Sequence, residues 1–164
     1  MKRIALVLLA AALFSFVAHA QDGPPTPDKQ IRSVFDDISG RVLAMAKDFP
    51  EAKYDYTPQA GVRSFREVIV HLTSGFVVAA KRGRGEKYDW TEIDPKTLPT
   101  KAAAVAALEK AIHDASEALK DEPKAQFAVS IAPWLGCVEH SGEHYGQLVV
   151  YYRNNGLVPP ESRK

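Results

Sequence analysis

The chain has one cysteine, Cys137, among 164 residues. A lone thiol excludes an internal disulfide, so the fold is held by its core, with a metal or a second subunit as the remaining supports. An excess of charge is also missing. With Lys2 and Arg3 set aside, the 21 basic side chains fall to 19 against 20 acidic ones. That balance gives no electrostatic basis for a nucleic acid or an anionic membrane as partner. The longest apolar run, Ile4 to Val17, has about 14 residues, short of the roughly 20 that a membrane-spanning helix needs. Strand-like alternation and internal repeats are absent as well, which leaves helices as the material of the fold.

The apolar run has a different meaning. Lys2 and Arg3 precede it, and Ala18-His19-Ala20 follows with small residues at the two positions a signal peptidase reads. Residues 1–20 are therefore expected to be a secretory signal peptide cut before Gln21. The protein is then exported, periplasmic or secreted, with no membrane attachment after cleavage. No cysteine lies near the cut, which argues against a lipid anchor. Residues 21–27 are rich in Pro and Gly and are expected to form a disordered lead-in. Residues 28–164 are expected to form one domain with a real core.

Four helices are predicted within it. Ile31, Val34, Phe35, Ile38, Val42, Leu43, Met45 and Ala46 recur at helical spacing, and Pro50 ends the pattern. "SFRE" from Ser64 to Glu67 has the form of a capping box and opens a helix from Phe65 to about Lys81. An alanine-rich helix starts after Thr100 and closes near Pro123. The last runs from Ile131 to Asn155, with Pro133 in its first turn and Gly156 beyond its end. The fold class is all-α, a four-helix bundle with a long connection between helices two and three.

Successive helical residues turn by about 100°, so His140 and His144 are about 40° apart on one face. Gln147 and Tyr151 continue that stripe at the edge of the apolar face, and Gln147 is a candidate to support a ligating histidine. Two histidines so spaced can present two imidazoles to one ion. The same spacing also occurs in helices that bind nothing. His71, on the margin of the second helix's apolar face, raises the count to three from two helices. Glu67, one turn before it, is a candidate to satisfy a core histidine or to orient a metal-bound one. Gly75 and Gly136 lie one turn from His71 and His140, leaving room for an ion and a ligand. His113 sits among Glu109, Lys110, Glu117 and Lys120 and is excluded as a ligand. Cys137, one turn before His140, reads as a small buried hydrophobe, with a fourth ligand that closes the site as the alternative. Glu143, on the polar side of His140, reads as an exposed helix carboxylate, with a general base near the open metal position as the alternative. Tyr54, Tyr56 and Trp90 are candidates to line the entrance or to pack loops onto the bundle.

"HSGEHYGQLVVYYRNNGLVPP" closely resembles the C-terminal signature of the DinB-like (damage-inducible) proteins, and "VRSFREVIVHLTSG" resembles their first metal-histidine segment. The resemblance implies a four-helix bundle with one divalent metal, zinc or nickel, held by His71, His140 and His144. It also implies a small-molecule substrate and, as is common in the family, a homodimer. Members include thiol transferases and isomerases that use small thiols such as bacillithiol or mycothiol. Many carry a histidine and an arginine where this chain has Glu143 and Tyr145. That loss of a basic residue, together with export, argues against an acidic small thiol as cofactor. The expected protein is an exported metal-dependent hydrolase or thiol transferase. The alternative is a bundle that binds a metal or ligand without catalysis.

Overall fold

The structure, a computed structural model, describes residues 24–121 and 124–164, with 121 and 124–130 described by backbone alone. The expected signal peptide and the first residues of the lead-in lie outside the described residues. What is described is helical, without a strand: α1 Pro27–Asp48, α2 Phe65–Gly83, α3 Lys101–Asp121 and α4 Lys124–Asn154, with three single 3-10 turns between and after them. No helix among the described residues is long and apolar enough to cross a membrane.

Local chemistry accounts for the ends of α1 and α2. Pro27 opens α1, where a missing N–H breaks no helical bond. At the start of α2, Ser64 accepts from the Glu67 N–H while the Glu67 carboxylate accepts from the Ser64 N–H at 2.6 Å, a complete capping box. α4 differs from expectation. It starts at Lys124 rather than Ile131, which puts Pro133 inside the helix instead of in its first turn. Residues 124–129 are mostly good helix formers, and one lost N–H donor did not outweigh them.

α2 is the most enclosed helix. It packs against α3 and α4, and α1 packs against the same two. The buried face of α3 is mostly alanine, with Ala104, Ala111, Ala115 and Ala118 beside Leu108, so it approaches α2 closely. On α2, Val68, Ile69, Val70, Leu72, Thr73, Ser74 and Phe76 are all buried. At one end Phe65 stacks on Phe49 with ring centres 3.8 Å apart, and Tyr54 and Tyr152 close the cluster. The α2–α3 connection lies back across α2: the Ile93 N–H donates to Ser74 Oγ at 3.0 Å and Arg66 donates to the Pro95 carbonyl at 2.8 Å. This return carries Trp90 and Glu92 to the α2–α4 seam.

Candidate metal centre

His71 from α2 and His140 and His144 from α4 meet at that seam. Each offers a ring nitrogen, and the three nitrogens lie within 4.8 Å of one another. Ring centres are 4.6 to 4.8 Å apart. His144 is buried and His71 and His140 are partly so. The Nε2 atoms of His71 and His140 are 2.9 Å apart. Two imidazole nitrogens at that separation need a proton or a cation between them, since two lone pairs repel.

The far nitrogens of two of these rings are already committed. His71 Nδ1 is 3.1 Å from the Glu92 carboxylate. An ionised carboxylate only accepts, so Nδ1 carries the proton and Nε2 is left with its lone pair toward the cluster. Arg63 in turn donates to both Glu92 oxygens at 3.3 Å. The second ring is fixed by a longer chain. His144 Nδ1 faces Gln147 Oε1 at 2.8 Å, Gln147 Nε2 donates to the Tyr151 hydroxyl at 3.2 Å, and that hydroxyl donates to the Arg63 carbonyl. A carbonyl cannot donate, so the direction of every bond follows from the last one. His144 Nδ1 is therefore the donor, which leaves Nε2 as the nitrogen turned to the cluster. Arg63 thus anchors both chains, one by its guanidinium and one by its backbone.

The third ring is placed by a gap. A Cβ on Gly75 would come within 2.8 Å of His140 Nδ1. The glycine makes room for the imidazole itself, where the sequence suggested room for an ion. Gly136 faces open space. Trp90 covers the rings from the loop side, 5.3 Å from the centre of His71 and 5.7 Å from that of His140. Burial, then the neighbouring His144 and His71, pushes His140 down to about 4. Burial, then Arg63, lowers His71 below the usual imidazole value against the pull of Glu92. Both are neutral near pH 7, the form a metal requires. Three converging imidazoles, two of them with Nδ1 turned outward to Glu92 and Gln147, and no carboxylate among the three, fit a divalent transition ion.

Other sequence candidates fall elsewhere. The Glu67 carboxylate serves the capping box, and the carboxylate on His71 is Glu92. Glu143 is exposed and makes no hydrogen bond or ion pair among the described residues. Cys137 is buried, its thiol pushed up to about 12 by that burial, and it stands outside the cluster. His113 is exposed. Tyr54 is a packing residue that donates to the Ala46 carbonyl, and Tyr56 packs on Tyr151. Glu143 and Tyr145 stand where many members of the resembled family carry basic residues, but two arginines come near from α2 and its entrance: Arg63 reaches Glu92, and Arg82 lines the cleft next to His140. Arg82 was legible, since eleven residues return a helix to within about 20° of His71. Glu92 was not, because a loop has no period to read.

A four-helix bundle whose second and fourth helices converge three imidazoles is a protein with a potential metal site at its interhelical seam. The sequence model of the DinB superfamily matches residues 35–148. The chain belongs to that superfamily. Comparison with curated proteins and with solved structures gave no match.

Proposed function

We propose that this protein is an exported metalloenzyme that holds one divalent ion, zinc or nickel, through His71, His140 and His144 and acts on a small molecule by hydrolysis or thiol transfer. The observation that carries it is the convergence of three ring nitrogens within 4.8 Å. Imidazoles suit zinc and nickel, whereas magnesium and calcium favour oxygen ligands. Three protein ligands leave a fourth position for water or substrate, the pattern of catalytic zinc sites. A divalent ion held there supplies Lewis acidity and a lowered pKa for a bound water or thiol. The chain's own residues do the rest. Glu92 and Gln147 keep two imidazoles oriented, and Trp90 shields the site. Export rests on the expected signal peptide.

Elemental analysis of the purified protein tests the site. One ion per chain is expected, lost in His71→Ala, His140→Ala and His144→Ala and kept in His113→Ala. A metal-free wild type grown in metal-replete medium sinks the proposal. In cobalt-substituted protein, azide is expected to change the visible spectrum. A spectrum that azide leaves untouched indicates a closed coordination sphere and a bundle that holds metal without catalysis.

A further inference from the structure

A cleft of about 210 Å³ opens beside His140 between α2 and α4. Its walls are apolar or small, among them Val78, Ala79, Pro133 and Gly136, with Trp90 at the side that also covers the imidazoles. The volume lies below the roughly 300 Å³ at which drug-sized sites begin, so the occupant is small. The open face of Gly136 gives it space.

Among the described residues one cation, Arg82, lines this cleft. Gly75, Val78, Ala79 and Arg82 follow one another down the face of α2 that carries His71. From Gly75, which touches His140, to Arg82 the helix rises about 10 Å. The Arg82 Nε donates to the Tyr88 carbonyl at 3.0 Å, and Lys81 holds the Tyr88 ring with its ammonium 3.8 Å from the ring centre. The guanidinium is thus tethered at one nitrogen, which lowers the cost of ordering it around a ligand. Its neighbour Arg84 is paired with Glu86, whereas Arg82 has no ion pair among the described residues. A guanidinium fork matches a carboxylate or phosphate in two parallel bonds.

We infer that the cleft binds a small organic anion whose apolar body lies along Val78, Ala79 and Trp90, with its anionic group on Arg82 and its other end at the three histidines. Arg82 is then the residue that selects the substrate class of the proposed metalloenzyme. The inference rests on that proposal for which end reacts, but not for binding itself.

The probe is 4-phenylbutanoate, compared with the uncharged 4-phenylbutanamide, titrated against tryptophan fluorescence. Trp90 is 44% exposed and Trp134 fully buried, so the cleft dominates the change. The acid is expected to bind about fivefold more tightly than the amide, the upper range for an exposed pair. In Arg82→Gln the two are expected to bind alike, with circular dichroism and metal content unchanged. Equal binding of acid and amide to the wild type overturns the inference. So does a preference that survives Arg82→Gln, or the lack of a saturable response up to about 10 mM, beyond which binding is weaker than ~3 kcal/mol. The titration is repeated in His144→Ala, whose altered residue does not line the cleft. The preference is expected to persist in that variant, and a wild type that holds no metal yet shows the Arg82-dependent preference refutes the metal proposal and leaves the cleft standing. Bound metal with no preference does the reverse.

Discussion

The hydroxyl of Tyr151 donates to the carbonyl of Arg63, a residue 88 positions earlier in the chain. Because the carbonyl can only accept, this bond orients the Gln147 amide and, through it, the His144 ring. A contact at the α2 entrance thereby decides which nitrogen of a distant imidazole is free.

Removing that hydroxyl should loosen the metal without unfolding the bundle. In Tyr151→Phe, the Gln147 amide loses the partner that sets its orientation. Metal affinity, measured by chelator competition, should fall about tenfold, as for other lost supports of ligating histidines. Gln147→Leu should do at least as much. Unchanged affinity in both variants would remove this chain from the account of the site.

Glu92 and Glu67 should separate cleanly. Glu92→Gln replaces the acceptor-only group on His71 with an amide that can flip, and metal affinity should drop about 10- to 100-fold. Glu67→Ala breaks the capping box and should lower unfolding stability by about 1 kcal/mol, with metal affinity unchanged. Chelator competition and urea unfolding read the two effects independently. Metal loss in Glu67→Ala alone would return the supporting role to the carboxylate the sequence suggested.

Two glycines should respond in opposite ways to alanine. At Gly75 the new methyl meets the His140 ring, so the ring must move, at a cost of about 1 to 3 kcal/mol and with loss of metal. At Gly136 the methyl enters open space, and better helix propensity should add up to about 1 kcal/mol. Thermal unfolding with metal analysis checks both. A metal-competent Gly75→Ala variant would show that His140 is not held by that gap.

Acid stability should depend on the tie between the C-terminal end and α1. Arg163 donates to both Asp48 oxygens, and Tyr152 donates to one of them. The hydrogen bond from Arg163, ahead of the opposing effect of burial, lowers the Asp48 pKa below its ordinary 3.8. A depressed carboxylate contributes stability that is fully present above the unfolded-state value and is lost as pH falls through the folded one. Arg163→Gln should therefore melt earlier than wild type at pH 6, and the gap should close toward pH 2. Since the pair is largely exposed, 1 M salt should narrow it as well. A gap that widens in acid would contradict the assignment.

The helices, their order and the three histidines were legible because each depends on local rules. Apolar spacing defines a helix face, Ser64 and Glu67 cap α2 within four residues, and His140 and His144 share a face through helix geometry alone. The start of α4 was misjudged because Pro133 is a weak marker when good helix formers precede it. The carboxylate on His71 was also misjudged. Glu67 is nearer in sequence, but its own N-cap claims it, and Glu92 comes from the returning loop.

By itself the sequence determined which residues can ligate an ion and which helices carry them, since these follow from residue type and a fixed rotation per residue. Only the tertiary structure decided which nitrogen each of two rings presents, through Glu92 and through the chain from Gln147 to Arg63. It alone gave Gly75 the task of seating His140 and set Arg82 and Trp90 around one cleft. Those outcomes depend on contacts between segments far apart in the chain, which no local periodicity encodes.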